Sequence, residues 1–167
     1  AGEVQLLDLN NLIGKTCRLM RHDNRLSGVE IHLDLDQQLP AVWGIGDHLV
    51  QVLMNLIINS ADAVNGIEGR KLLIEVSTRI NDANIQITVS DNGCGMAPED
   101  LEHATEAFYT TKPMGKGNGL GLSLCHSIIS AHNGSLSIES TPDVGTAIQV
   151  FIPLGDELQP ESIELTS

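Results

Sequence analysis

The sequence predicts an α+β fold: a two-layer sandwich with one mixed, mostly antiparallel sheet covered on one face by helices. Three observations predict it. Helical and strand periodicities succeed one another in the order helix, strand, helix, strand, strand, loop, helix, strand, strand. The 167 residues make one domain the default, and a chain of this size buries roughly two-thirds of its unfolded surface. Finally, 41% of the residues are hydrophobic but only Trp43, Phe108, Tyr109 and Phe151 are aromatic, so the core must be aliphatic.

From Leu6 to about Leu26 the apolar residues Leu9, Leu12, Ile13, Leu19 and Met20 recur at helical spacing. Val29, Ile31, Leu33 and Leu35 then alternate with Glu30, His32, Asp34 and Asp36, the pattern of a half-buried strand. Pro40 closes that unit, and Ala41 to Ile45 reads as a short strand. Asp47 is placed to N-cap a second helix carrying Leu49, Val52, Leu53, Leu56, Ile57 and Val64, with Gly66 as its stop. Leu73–Ile80 and Ile85–Val89 read as strands joined by a hairpin turn at 81–84. Glycines and prolines crowd residues 93 to 121, interrupted by one short helix near Glu99–Ala104. Leu120–Ala131 reads as a helix with Leu122, Leu124, Ile128 and Ile129 inward, and Leu136–Glu139 and Thr146–Ile152 as a closing hairpin. These boundaries give a folded domain over 1–154 and an acidic, disordered tail or linker over 155–167.

Charge and cysteine usage exclude several functions. A formal net charge of −13 repels phosphate backbones and anionic lipid, so neither a nucleic-acid partner nor direct membrane contact is expected. No apolar run approaches the ~18 residues of a membrane span, and no signal-peptide pattern opens the chain. Cys17, Cys94 and Cys125 are widely spaced and odd in number, which fits reduced thiols in a cytoplasm rather than a disulfide framework or a zinc site.

Three segments carry candidate chemistry. Asn55 and Asn59 are four apart on the second helix and share a side of it. Alone they read more readily as surface amides or local caps than as ligands, although an amide oxygen suits Mg²⁺ that also holds substrate phosphates. The run Asp91-Asn92-Gly93-Cys94-Gly95-Met96 follows a strand, and its glycines let the backbone turn beside a carboxylate. A carboxylate there accepts from the exocyclic amine of adenine, whereas guanine would oppose it with O6. A Gly-rich turn bearing a solvated Asp fits the motif alone equally well. The third segment, Phe108 to Leu122, gathers Lys112 and Lys116 among glycines and runs into a helix. Unpaired N–H groups in such a loop and at a helix start form an anion site. Other phosphate loops fail: Gly115-Lys116 is followed by Gly117 rather than Ser or Thr, and no GxGxxG is present.

In order and spacing, Asn55–Ala61, Asp91–Met96, Phe108–Lys112 and Gly117-Asn118-Gly119-Leu120-Gly121-Leu122, with Gly145-Thr146 before the last strand, resemble the catalytic ATP-binding domain of sensor histidine kinases. That domain (the Bergerat fold) belongs to the superfamily shared with DNA gyrase, heat-shock chaperones and MutL-type mismatch-repair proteins. The resemblance covers about Leu6 to Leu154. Its wording at Asn59-Ser60-Ala61-Asp62-Ala63 and Phe108–Lys112 is most similar to the nitrogen-regulation and dicarboxylate-sensing type.

The resemblance implies ATP and Mg²⁺ as ligands. Asn59 would ligate the metal, Asn55 would support metal or phosphates, and Asp91 would bind the adenine amine. Gly93, Gly95 and Met96 would shape the pocket, with Thr146 supporting an adenine-bound water. Thr110, Thr111 and Lys112 would approach the phosphates, with Lys112 reaching a distal one. Gly117, Gly119, Leu120, Gly121 and Leu122 would form the lid over the nucleotide and its hinge. Asp62 joins the pocket where many relatives carry Lys, so Lys112 or Lys116 must supply more of the charge. Asn118 replaces a common Thr in the lid.

It also implies phosphoryl transfer to a His on a separate dimerisation domain, then to a response-regulator receiver domain. The domain would be cytoplasmic, which is compatible with a parent anchored in the inner membrane. His22-Asp23 imitates an acceptor but lies on the domain's own first helix, so the chain alone is not expected to autophosphorylate. The alternatives are an ATP-driven conformational clamp or an anti-sigma Ser/Thr kinase of the same superfamily. Both carry a Glu general base where this chain has Asn55.

Overall fold

The computed structural model describes residues 2–106 and 119–154. The chain opens with β1 (Val4–Leu7), α1 (Leu9–Met20), a 3₁₀ turn (Asn24–Leu26) and β2 (Glu30–Asp34). It continues through β3 (Val42–Ile45), α2 (Gly46–Val64), β4 (Leu73–Asn81), β5 (Asn84–Asp91) and α3 (Pro98–Glu106). The last described elements are α4 (Gly119–Ala131), β6 (Ser135–Thr141) and β7 (Gly145–Pro153). Five strands form one sheet in the order β2-β4-β5-β7-β6, in which β2 and β4 are parallel and every other pair is antiparallel. The small ladder of β1 and β3 stands apart from it.

Strand alternation builds the inner face of that sheet. Ile74 and Val76 on β4, Ile85, Ile87 and Val89 on β5, and Ile148, Val150 and Ile152 on β7 are all buried. Against them lies the stripe of α2, in which Leu49, Val52, Leu53, Leu56, Ile57, Ala61 and Val64 recur at helical spacing. Leu9, Ile13, Cys17 and Met20 of α1 and Leu122, Cys125, Ile128 and Ile129 of α4 complete one aliphatic core. Each such side chain contributes about 1.5–3 kcal/mol through burial. Among the described residues the helices pack on this face, as the sequence predicts.

Local chemistry moves some boundaries. The segment predicted as helix from Leu6 begins as strand, because β1 finds its backbone partners in β3. The helix starts after Asp8, whose carboxylate accepts the Asn11 N–H at 3.1 Å. It ends at Met20, so His22 lies in the turn beyond α1 rather than on the helix. Asp47 is not the N-cap of α2: Ile45 holds that position without a side-chain bond, and Asp47 lies in the first turn, where its charge suits the helix dipole. Leu124 does not point inward but is 39% exposed; the buried residue is its neighbour Cys125. Among the described residues no helix is long and apolar enough to cross a membrane. The predicted tail, 155–167, and most of the glycine-rich loop lie outside the described residues.

Candidate functional site

The two-residue period of the strands decides where the chemistry sits. After Ile85, Ile87 and Val89, the next inward position on β5 is Asp91, so a carboxylate stands where the pattern calls for a core residue. The registers set Asp91 opposite Thr146, and Thr146 opposite Ser140. The inner face of the sheet therefore ends in a polar row. α2 interrupts its stripe in the same way: between Ile57 and the buried Ala61 and Val64 comes Ser60, buried to 3% exposure and hydrogen-bonded to Asp91.

Asp91 receives three donors from the protein. The Gly93 N–H donates to Oδ1 at 2.8 Å. The Ser60 hydroxyl and the Thr146 N–H supply the others. Burial pushes the carboxyl above its ordinary value, and these donors pull it part of the way back. A carboxylate offers about four acceptor positions, so about one remains for a ligand, and it accepts only.

Glycine is required around it. A Cβ on Gly93 would come within 2.5 Å of the Ala63 carbonyl oxygen. Gly95 adopts φ +66° and packs so closely on Thr141 that a side chain there would collide with the Thr141 carbonyl. The turn is clamped further by Cys94 N–H to Ala63 O at 3.1 Å and Asp143 N–H to Cys94 O at 2.7 Å.

These elements enclose a cavity of about 240 Å³. Its walls are apolar, from Ala63, Met96, Ala104, Leu122, Ile138 and Ile148, and its polar groups come from Asn59, Ser60, Asp62, Asp91 and Thr146. A cavity with aliphatic walls and a carboxylate acceptor in its lining suits a heterocycle that presents an amine. Asn59 also fits a hard cation: its amide nitrogen is buried without a hydrogen-bond partner, so no bond through that nitrogen fixes the amide, and an amide oxygen suits Mg²⁺.

The structure thus brings Asn59, Asp62, Asp91, Gly95, Met96, Leu122 and Thr146 together around one cavity. Gly93 lies beneath it, holding Asp91. Asn55 does not line it; its side chain bonds the thiol of Cys125 on α4, a group that burial pushes up to about 12. Gly119, Leu120 and Gly121 form the first turn of α4, so Gly119 is already helical rather than loop. Thr110, Thr111, Lys112, Lys116, Gly117 and Asn118 lie outside the described residues. Sequence reasoning missed Ser60 and Ser140. Their signal is positional, since each is a polar residue on an inward, apolar periodicity.

Comparison with known proteins supplies relatives. Residues 44–156 match the family described as histidine kinase-, DNA gyrase B-, and HSP90-like ATPase. The chain is 30% identical over 151 residues to the sensor histidine kinase ZraS of Escherichia coli O157:H7, a match covering 90% of this chain and 32% of that protein. It is 32% identical over 150 residues to the sensor histidine kinase TmoS of Ectopseudomonas mendocina, covering 89% of this chain and 15% of that one. The chain therefore spans about a third or less of these relatives. A nucleotide-free form of the catalytic domain of the histidine kinase ThkA superposes with a TM-score of 0.73 at 27% identity, covering 96% of this chain and 99% of that one.

Proposed function

This chain belongs to the histidine kinase-, DNA gyrase B-, and HSP90-like ATPase family, and from that premise we propose that residues 1–154 are the Mg-ATP-binding catalytic domain of a sensor histidine kinase, with 155–167 as a tail or linker. The observation that carries this reading is Asp91: a carboxylate on a core position, held by three donors, with acceptor capacity left towards an aliphatic slot. In this reading Asp91 accepts from the adenine amine, and the walls from Met96, Leu122 and Ile148 exclude water from the ring. Asn59 offers its amide oxygen to Mg²⁺, and Asn55, anchored on Cys125, supports the phosphate end. When bound, Mg²⁺ neutralises charge on the triphosphate, which together with positioning is most of what phosphoryl transfer asks of a protein.

Asp62 is exposed at the cavity and adds negative charge there. The compensating cations are then Lys112 and Lys116, with Thr110, Thr111 and the glycines through Gly121 closing over the phosphates. The acceptor is a His on a separate dimerisation domain, followed by a response-regulator receiver domain. The wording of Asn59–Ala63 and Phe108–Lys112 supports a parent of the nitrogen-regulation or dicarboxylate-sensing type, with this domain acting in the cytoplasm. Asn55 has no proton-accepting group at neutral pH, which favours this reading over the clamp and anti-sigma readings.

Calorimetry with ADP and a non-hydrolysable ATP analogue, each with and without Mg²⁺, tests the binding half. Adenine nucleotides should bind, and the triphosphate should gain from the metal; no binding refutes the assignment. Supplying the dimerisation domain and radiolabelled ATP tests the transfer half: label should reach that domain and not this chain alone.

A further inference from the structure

We infer that residues 155–167 of this chain dock on the outward face of α1, where Lys15, Arg18, Leu19 and His22 form a cationic recess. The inference goes beyond the nucleotide reading and does not depend on it. The buried stripe of α1 holds Leu9, Ile13, Thr16, Cys17 and Met20. Lys15, Arg18, Leu19 and His22 follow one another at helical spacing on the opposite side, and all four are exposed. They line an open recess of about 370 Å³, within which Leu19 is 70% exposed.

This face is an exception to the charge of the molecule. The chain carries 22 acids against 9 Lys and Arg, yet α1 has no Asp or Glu between Leu9 and Met20. Most other described cations are engaged. Arg25, Lys71 and Arg79 pair with Asp23, Glu30 and Asp34, and the Arg21 guanidinium donates to the Ile31 carbonyl at 3.0 Å. Lys15, Arg18 and Arg70 have no carboxylate partner among the described residues, and the first two share the recess.

Charge, reach and point of departure name the occupant. Residues 155–167 carry Asp156, Glu157, Glu161 and Glu164 with no Lys or Arg, and Leu158, Ile163 and Leu165 stand among them. Carboxylates suit Lys15 and Arg18, while an apolar side chain suits Leu19, whose surface would leave water on docking. The segment departs from Leu154, whose N–H donates to the Ala83 carbonyl at 2.8 Å, at the tip of the β4–β5 hairpin. α1 begins over the same end of the sheet: the Thr78 hydroxyl on β4 donates to Asn10 Oδ1 at 3.0 Å. An extended segment of this length reaches roughly 43 Å, and Lys15 and His22 stand about 10 Å apart along the helix. Each exposed ion pair is weak, but the segment is tethered, so docking proceeds at an effective concentration on the order of millimolar.

The test uses the full chain and a zero-length carbodiimide, which joins an amine to a carboxylate only where the two meet. Proteolysis and mass spectrometry should find Lys15 joined to one of the four acids, with the Lys71–Glu30 pair, 2.7 Å apart, as the internal reference. Arg18→Glu should lower the yield at Lys15 roughly fivefold relative to that reference. A yield that Arg18→Glu leaves unchanged overturns the proposal, as does a formed reference without the Lys15 product. So does a product joining an isotope-labelled chain to an unlabelled one, since the occupant is then a second copy. A second reading leaves α1 intact and stands if Arg18→Glu fails to fold. With Asp156→Asn, Glu157→Gln, Glu161→Gln and Glu164→Gln combined, the NMR amide signals from Lys15 to His22 should shift while those of α2 stay in place. Shifts confined to 155–167, or centred on another surface, overturn the proposal.

Discussion

The chain buries two titratable polar side chains against strand ends, and it treats them in opposite ways. His132, at the end of α4, is wholly buried. Its Nε2 accepts the Ile45 N–H at 3.0 Å and its Nδ1 donates to the Ile128 carbonyl at 2.8 Å, so the neutral ring is closed on both sides. Asp91 is only partly enclosed, and three donors leave it with capacity to spare. Burial disfavours the charged form of each: it lowers His132, helped by His48, and raises Asp91. The same force therefore locks one group into the scaffold and keeps the other ready for a ligand. The distinguishing mark is unspent hydrogen-bonding capacity, not the presence of a buried polar group.

The strongest way to break this contrast is to remove the closed group. His132→Ala should cost about 3–5 kcal/mol, since it opens a cavity and strands the Ile45 N–H, while the Ile128 carbonyl keeps the backbone N–H of residue 132. Thermal unfolding should move down by roughly 10 °C, while ADP affinity measured well below the transition stays within about twofold, a shift of less than 0.5 kcal/mol. A larger loss of affinity would show that His132 serves the cavity as well.

Asp91→Asn should do the reverse. Nucleotide affinity should drop roughly tenfold to a hundredfold, because a hydrogen bond to a charged group is worth ~1.5–3 kcal/mol. Adenine-over-guanine selectivity should vanish, with the midpoint of urea unfolding at pH 7 unchanged or raised. A variant that melts early would place Asp91 with His132. Asn59→Ala sharpens the contrast further. Its amide nitrogen has no internal partner, so stability should stay within about 0.5 kcal/mol while the Mg²⁺ dependence of triphosphate binding is lost in calorimetry.

The smallest effect is in pH. His132 has a folded value below its ordinary 6.5, so its contribution is complete above that pH and is lost as pH falls through 6.5 towards the depressed value. Asp91 has a folded value above its ordinary 3.8, so its contribution is present below 3.8 and is lost as pH rises through the raised value. Denaturation series from pH 8 to pH 4 should therefore show the wild type weakening on the acid side of 6.5. Any advantage of Asp91→Asn at pH 7 should close as pH approaches 3.8.

Much of this was legible in the residues. Alternation in 73–80 and 85–89 marks the central strands, and the same alternation, carried one step beyond Val89, reaches Asp91. The glycines at 93 and 95 announce a turn too tight for side chains. What could not be read is long-range pairing. Leu6 belongs to a strand only because residues 42–45 lie beside it, and helical spacing in the residues that follow conceals that. Leu122 and Leu124 differ in exposure because of where α2 packs, which a run of leucines does not encode. Ser60 and Ser140 are ordinary serines until the packing of α2 sets the first beside Asp91 and the β6–β7 register sets the second opposite Thr146. Asn55 is visible as half of an amide pair, yet its attachment to Cys125 depends on how two distant helices meet.

The small ladder at the front of the molecule has a mechanical consequence. β1 is held to β3 by the pairs Val4–Ile45 to Leu7–Val42, and β3 passes without a break into α2. The ladder therefore fixes the amino-terminal end of the helix that bears Asn55 and Asn59. The ladder and Asp62 with the cavity thus occupy opposite ends of α2.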